Sequence, residues 1–349
     1  MVTKANPHHV NAPTPDPADS VPWLPPAMTD ELQVQIHDLM VKGRRTEETL
    51  IRMVRTGQGY FWIGGPGEEA FGVAMALLLK KGYGPDYDYL HLHYRSSALV
   101  LAMGADPIDL LRQMRSTATD PYSKGRNFVN HFAIKRWNVV PVTPTIETQY
   151  TMAPGTALVQ RRHGGSGLTM VNGGDAGSAE GDFWTGLNWS TRPGAELPVL
   201  MVIAQNLWGI STPAAQVQNS TALHVRASGF GMANSRVDGN DPIASFEAIR
   251  EAMQYVRYER RPYCLQADLS RLYGHSSSSG ANRDDEPDCL SLYEARMIRE
   301  NRMTQAEIQA VHDKWDAHLH AALDVVKGEP MPDKSHVLQH VFFDGPAGN

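Results

Sequence analysis

The chain contains 349 residues, of which 42% are hydrophobic and 20% are charged, and its formal net charge at pH 7 is −6. A chain of this size and composition can bury a large core, as globular proteins do. The acidic balance argues against a general nucleic-acid-binding surface, which needs clustered Lys and Arg. No run of about 18 apolar residues occurs, so we expect no membrane span.

The cysteines and the N-terminal segment bear on the cellular compartment. Cys264 and Cys289 are too few for a disulfide framework and lack CxxC spacing, so we expect the reducing cytoplasm. Residues 1–28 contain seven prolines and no arginine, which fits neither a signal peptide nor an Arg-rich transit peptide. We predict a flexible arm over residues 1–28 and one α/β domain over residues 29–349 that includes C-terminal helices.

Hydrophobic spacing predicts the first ordered elements. Apolar residues recur at helical intervals from Asp30 to Gln58, which predicts a helix with a candidate break at Gly43. Residues 57–70 follow the pattern of a short aromatic strand, a glycine turn and a helix start. Residues 70–82 have the apolar density of a buried helix that ends at a glycine.

Residues 87–95 alternate like a strand that delivers Tyr94 and Arg95 to its end. An arginine there could bind phosphate in a bidentate manner, with the tyrosyl hydroxyl as a second donor, or form a surface salt bridge. The sequence leaves both interpretations open. Helices are predicted over residues 99–104 and 107–116. A polar loop containing His131 follows, and its length calls for a functional or ordering role.

Two apolar runs in the middle of the chain predict buried strands that each end in a polar residue. The run before Asp175 covers residues 168–171, and the run before Asn206 covers residues 197–204. Between them, residues 183–189 supply the aromatic and leucine anchors of a crossover helix. A parallel βαβ unit places both strand ends at one edge of the sheet, where ligands of doubly wound sheets bind. Asp175 and Asn206 could then meet at one cation.

The C-terminal part continues the alternation of helices and strands. The predicted elements are a helix over 221–227, a strand over 235–238, a helix over 242–257 and a strand over 262–269. His275 follows on a serine-rich loop with few apolar anchors, where a structural and a functional histidine are equally expected. Capping boxes are predicted at Ser291 and Thr304, and the second opens an amphipathic helix.

Several motifs, in matching order, carry a resemblance to a known family. They are RTGQGYFWIGGPGEEA, HYR, the loop with His131, TPTIETQ, GGDAGSAEGDFWTGLNWS followed by QNLWGIST, and YGHSSSS. The set resembles the alpha subunit of the thiamine-diphosphate-dependent decarboxylating component of 2-oxoacid dehydrogenase complexes, of branched-chain or pyruvate type. The resemblance implies a doubly wound, mostly parallel sheet flanked by helices, with helical N- and C-terminal additions.

The resemblance also implies roles for individual residues. Asp175, Asn206 and the backbone carbonyl of Trp208 would bind Mg2+, an ion that takes hard oxygen ligands. His275 would lie near the phosphate and the reacting centre. The remaining positions implied to contact the cofactor are Tyr94, Arg95, Ile146, Gly174, Ala176 and Gly177. Phe61 and His131 would line the substrate pocket, and Thr148 and Gln149 lie in a turn that holds a monovalent cation such as K+ in some relatives.

The family resemblance implies partners because the carboxylate that activates the aminopyrimidine belongs to a separate beta subunit. The expected assembly is an α2β2 heterotetramer that acts on a small 2-oxo acid and transfers the acyl group to a lipoyl-bearing acyltransferase. The sequence departs from the family pattern at Ala176 and Gln205, and Ala204 stands where some relatives carry an arginine directed at phosphate. Branched-chain substrates are favoured. A pyruvate or acetoin dehydrogenase alpha subunit and a non-catalytic cofactor-binding scaffold remain alternatives.

Overall fold

The computed structural model describes residues 25–339. Its α-helices are α1 (Asp30–Arg55), α2 (Glu69–Leu78), α3 (Ser97–Ala102), α4 (Pro107–Met114), α5 (Thr148–Arg162), α6 (Gly181–Ser190), α7 (Ala214–Val217), α8 (Val225–Ser228), α9 (Pro242–Glu259), α10 (Cys289–Arg299) and α11 (Gln305–Lys327). Its strands are β1 (Tyr89–His91), β2 (Val139–Val140), β3 (Thr169–Gly174), β4 (Val199–Gln205), β5 (Trp208–Gly209), β6 (Thr212–Pro213), β7 (Ala233–Asp238) and β8 (Tyr263–Asp268). The predicted arm over residues 1–28 lies outside the described residues except for 25–28, which belong to no helix or strand.

Six strands form one sheet in the order β2-β1-β3-β4-β8-β7, and every neighbouring pair is parallel. The α/β fold with a parallel sheet and helical N- and C-terminal segments is therefore confirmed. The predicted central βαβ unit is also present, because β3 and β4 are adjacent and α6 connects them. Short strands β5 and β6 pair in antiparallel fashion directly after β4.

The central strand β4 is buried along its whole length, which explains its uninterrupted apolar sequence. Leu200 and Val202 pack into one hydrophobic cluster, which contains residues of α1, α2 and α9. Met201 and Ile203 point to the opposite face and pack into a second cluster, which contains residues of α5 and α6. Because both faces are covered, the carboxyl ends of the strands are left as the place where polar side chains collect.

The predicted break of the first helix at Gly43 is wrong, because α1 runs without interruption from Asp30 to Arg55. A Cβ atom on Gly43 would lie 3.1 Å from the Cβ atom of Ala98 at the start of α3. The glycine therefore allows close packing of two helices, and its helix-breaking tendency is overridden by tertiary contact.

Other predicted boundaries shift by a few residues. Residues 60–63 form no strand, and the segment makes only an isolated bridge between Ile63 and Ser276. The strand predicted over 87–95 is limited to β1, and α2 ends at Leu78 instead of Gly82. The cap of α10 is Asp288, so the capping box predicted at Ser291 is wrong, whereas the one at Thr304 is present. In the part of the chain from 25 to 339, no helix is long and apolar enough to cross a bilayer.

Candidate active site

The ends of β3 and β4 bring Asp175 and the segment after Gln205 together. The main chain of Asp175 donates to the carbonyl of Ala204 at 3.1 Å, which extends the sheet register by one residue. One carboxylate oxygen of Asp175 accepts from the N–H of Leu207 at 2.7 Å, and the other accepts from the N–H of Ala176 at 2.8 Å. Asn206 is buried, and its side-chain oxygen accepts from the N–H of Trp208 at 3.1 Å. The structure thus joins the three positions that the resemblance implies as metal ligands.

The donor chemistry of this corner suits a hard divalent cation. Asp175 and Asn206 offer oxygen atoms, and the carbonyl of Trp208 follows two residues after Asn206. Burial raises the pKa of Asp175, while hydrogen bonds from the N–H groups of Ala176 and Leu207 and the charge of Arg95 oppose that rise. A bound cation would act in the same direction as these donors and would favour the carboxylate.

Two buried guanidinium groups, those of Arg95 and Arg271, interact electrostatically with Asp175 and with each other. Arg95 donates to the carbonyl of Gly64 and, at 3.2 Å, to Nδ1 of His275. Arg271 follows β8, donates to the carbonyl of Ile210 at 2.7 Å and stacks on Trp208 with 5.4 Å between its guanidinium carbon and the ring centre. Its Nε atom is buried and has no hydrogen-bond partner among the described residues.

The Nε–H of Arg271, unpartnered among residues 25–339 and near the carboxylate proposed to bind a metal ion, suits an anionic ligand such as a diphosphate. Burial lowers the pKa of Arg271, and the charge of Arg95 lowers it further. A bound anion would relieve this repulsion between like charges. Residues 95, 175 and 271 therefore form an arrangement suited to a metal ion together with an anion.

The tautomer of His275 follows from its hydrogen bond. Because the guanidinium of Arg95 is a donor, Nδ1 of His275 must accept, and the ring proton is then on Nε2. Burial, followed by the charges of Arg95 and Arg271, lowers the pKa of His275 to about 4. His275 is therefore neutral at pH 7 and presents an N–H donor on the side away from Arg95.

An aromatic cluster connects the predicted substrate residues to this centre. The ring of Tyr94 is 6.0 Å from that of His275 and 6.3 Å from that of His131. Phe128 lies 6.0 Å from His131 and 5.2 Å from Phe61, again between ring centres. The structure thus brings both predicted wall residues into one cluster with Tyr94 and His275.

His131 is in the opposite tautomer to His275. Its Nδ1 atom is 3.1 Å from the carbonyl of Val129 and therefore carries the proton. Its Nε2 atom is a buried acceptor without a partner among the described residues. Burial lowers the pKa of His131, so the ring stays neutral at pH 7. The cluster consequently contains one histidine that donates and one that accepts.

Ile146 and Glu147 occupy the turn before α5, and Glu147 contacts residues 174–177, the predicted metal loop. The side chain of Ile146 is 60% exposed, whereas Glu147 is buried with a φ of 63°. A carboxylate oxygen of Glu147 accepts from the N–H of Gly174 at 3.1 Å. Its side chain occupies the space that a Cβ atom on Gly173 or Gly177 would need. The glycines of the loop are thus required by a neighbouring carboxyl group.

The comparisons with known proteins agree with this arrangement. The model of the family described as "Dehydrogenase E1 component" matches residues 37–335. The 2-oxoisovalerate dehydrogenase subunit alpha of Bacillus subtilis is 30% identical over 325 residues, which cover 90% of this chain and 96% of that protein. The chain belongs to the dehydrogenase E1 component family.

Further relatives of this E1 chain come from eukaryotes. The mitochondrial 2-oxoisovalerate dehydrogenase subunit alpha 2 of Arabidopsis thaliana is 30% identical over 73% of the E1 chain and 52% of the relative. The human mitochondrial 2-oxoisovalerate dehydrogenase subunit alpha is 23% identical over 92% of the E1 chain and 73% of the relative. The family resemblance predicted from the ordered motifs is therefore confirmed.

The sequence motifs did not single out three charged residues near this site, namely Glu68, Glu147 and Arg271. Glu147 lies within the motif TPTIETQ, and Arg271 lies outside the motifs that carry the resemblance. Glu68 lies at a predicted helix start, yet burial, opposed by the charge of Arg95, raises its pKa to about 8. A useful signal was available for Arg271, which lies four residues before His275 on the same loop. No sequence signal distinguished Glu68 from its neighbour Glu69.

Proposed function

We propose that this chain is the alpha subunit of a 2-oxoacid dehydrogenase that binds Mg-thiamine diphosphate and acts on a branched-chain 2-oxo acid. The observation that carries the proposal is that Arg271 stacks on Trp208, beside the N–H that donates to Asp175, while Arg95 lies at the same strand ends, in a chain of this family. The names of the relatives support the branched-chain substrate class. The acyl group would then pass to a lipoyl-bearing acyltransferase.

The chain's own residues would hold the cofactor by its diphosphate end. Asp175, Asn206 and the carbonyl of Trp208 would bind Mg2+, with K+ as a second cation near Thr148 and Gln149, which the structure places in the first turn of α5 rather than in a separate turn. When bound, the thiazolium ring supplies the electron sink that decarboxylation needs. Arg95, Tyr94 and Arg271 would face the diphosphate oxygens, and a backbone group of Ile146 would meet the aminopyrimidine. The loop Gly174–Gly177 would lie against the diphosphate, where small residues permit close approach.

The neutral state of His275 suggests its part in the reaction. Its Nε2–H can donate to a carboxylate or a carbonyl oxygen, while Arg95 keeps the ring in that tautomer. His131 offers an acceptor in the same aromatic cluster. Phe61 and Phe128 would supply the apolar wall that a branched side chain prefers.

A beta subunit would complete the site. Three apolar side chains from the segments before α5 and after β4 are exposed in the isolated chain, namely Ile146, Leu207 and Ile210. Exposed apolar side chains on segments that flank a polar site are consistent with an interaction surface. We therefore propose an α2β2 heterotetramer, located in the cytoplasm, in which the partner provides the activating carboxylate.

The proposal is tested by purifying the chain with its beta subunit and supplying 2-oxoisovalerate, pyruvate and acetoin in parallel. We expect the highest kcat/KM with 2-oxoisovalerate, at least about tenfold above pyruvate, because each of its two extra methyl groups is worth roughly 1–3 kcal/mol in an apolar pocket. The measurement is reduction of an artificial electron acceptor. A higher value for pyruvate or acetoin would assign the chain to one of those enzymes instead.

Replacement of His275 by alanine is expected to lower kcat by roughly 100-fold or more, since one positioned proton donor contributes about that factor. Thiamine diphosphate affinity should change much less. Turnover is measured with the artificial acceptor and with a lipoyl domain, and binding by calorimetry. Ser278→Ala, on the same loop, is the matched control and should retain activity. Unchanged turnover of His275→Ala in both assays would show that the histidine is structural.

The scaffold alternative gives a separate result. A degenerate scaffold, which keeps the cofactor-binding fold only to stabilise the complex, would bind no thiamine diphosphate in the presence of Mg2+ and its beta partner. Calorimetry on the purified α and β chains decides this question before any turnover is measured.

A further inference from the structure

A second group of metal-binding side chains lies outside the candidate active site, where α1, α10 and α11 meet. It consists of His37, Glu294 and His312, whose ligand atoms all lie within 4.8 Å of one another. One oxygen of Glu294 is 3.0 Å from Nε2 of His37 and 2.7 Å from Nε2 of His312. We propose that this cluster is a Zn2+ site that fastens the two C-terminal helices to α1.

The ligand set selects the type of metal. Two imidazoles and one carboxylate suit zinc, which accepts nitrogen and oxygen ligands and leaves a fourth position for water. Magnesium and calcium prefer oxygen ligands only, so they are not expected at this cluster. The proposed site is therefore chemically distinct from the oxygen site at Asp175.

Zinc binding would require the distances between these ligand atoms to lengthen only slightly. With zinc–ligand bonds of about 2.0–2.1 Å at tetrahedral angles, ligand atoms are separated by about 3.4 Å. The two contacts of Glu294 are shorter because protons, rather than a cation, lie between the groups. Each imidazole would exchange its Nε2–H bond to the carboxylate for a bond from its Nε2 lone pair to zinc, with the proton on Nδ1.

The cluster is accessible from solvent. The side chains of Glu294 and His312 are 20% and 19% exposed, which leaves a path for the ion, whereas His37 is fully buried.

The expected affinity is moderate. Metal-binding histidines are normally oriented by a hydrogen bond to their second ring nitrogen, and loss of that bond costs about 10–100-fold in affinity. Nδ1 of His37 has no such partner among residues 25–339. We therefore expect a dissociation constant for Zn2+ in the micromolar range.

The test is a Zn2+ titration of the EDTA-treated full-length chain, with Mg2+ and thiamine diphosphate in excess. Metal content after gel filtration should reach one zinc per chain, and the thermal midpoint should rise because zinc binds only the folded state. Both effects should be lost in His312→Ala. They should persist in His320→Ala, an exposed histidine on the same helix. Co2+ in place of Zn2+ should give a visible absorption band that is absent in His312→Ala.

Two outcomes would overturn the proposal. One is that the wild-type chain binds no zinc when Zn2+ is present at 100 times the protein concentration. The other is that the wild type, His312→Ala and Glu294→Gln bind zinc equally. Glu294→Gln keeps the shape of the side chain, so it remains informative if His312→Ala does not fold. Zinc binding that disappears in Asp175→Ala but not in His312→Ala would place the metal at the other site. None of these measurements depends on the enzymatic activity proposed for the chain.

Discussion

Replacement of Asp175 by alanine is expected to abolish Mg2+-dependent retention of thiamine diphosphate. Asp175 is the only anionic residue among the three proposed metal ligands, and the number of charged ligands sets the affinity of hard-cation sites. We expect affinity to fall about 100-fold or more, which corresponds to roughly 3 kcal/mol of binding free energy. The measurement is calorimetric titration of the purified α and β chains with thiamine diphosphate at fixed Mg2+.

The conservative change separates charge from shape. Asp175→Asn keeps an oxygen that can accept from Ala176 or Leu207, so the loop should remain folded while metal affinity falls. Glu180→Ala removes an exposed carboxylate five residues later and serves as the control. Normal cofactor binding by Asp175→Ala, with circular dichroism unchanged, would contradict the metal assignment.

Replacement of Arg44 by methionine should lower the free energy of unfolding by about 3–5 kcal/mol, a much larger loss than for the neighbouring Arg45. Arg44 is 4% exposed and binds Glu69 through two hydrogen bonds of 2.7 and 2.9 Å. It binds Asp288, the cap of α10, through two more of 2.8 and 3.0 Å. Without Arg44, the carboxylate of Glu69 would be buried without a cation. The measurement is urea denaturation followed by circular dichroism.

The neighbouring arginine provides a matched control. Arg45 pairs with Glu48 and Asp316 but is 30% exposed, so Arg45→Met should cost only about 0–1 kcal/mol. Adding Glu69→Gln to Arg44→Met should recover part of the lost unfolding free energy, since it removes the buried, unpaired charge of Glu69. Equal stability of the two arginine variants would contradict the importance of the buried pair.

The ion pair of Arg44 and Asp288 should also make stability depend on acid pH. Burial would raise the pKa of Asp288, but the hydrogen bonds and charges of Arg44 and Arg283 outweigh it and hold the pKa well below its usual range. A carboxyl group with a lowered pKa in the folded state contributes stability above its unfolded pKa of about 3.9. That contribution is lost as the pH falls below about 4. Arg44→Met should therefore show a shallower decline of stability with acid than the wild type.

The sequence by itself predicted the central βαβ unit from local periodicity, and the order of its motifs implied the complete parallel α/β fold by resemblance to a family. The apolar runs over residues 168–171 and 197–204 and the helical spacing of α9 and α11 are readable without knowing which segments pack against them. The same holds for the ends of β3 and β4, since the geometry of a parallel βαβ unit places Asp175 beside Asn206 wherever the rest of the chain lies.

Only the tertiary structure decided which other groups face that edge. Arg271 and Glu147 reach it from elements 96 and 28 residues away from Asp175, counted as 271 − 175 and 175 − 147. Gly43 is helical because Ala98 approaches it, and Glu68 differs from Glu69 because only Glu69 meets a buried arginine at hydrogen-bond distance. His37, Glu294 and His312 become one cluster only when three helices pack. Burial and long-range charge depend on distances between segments that sequence periodicity does not encode.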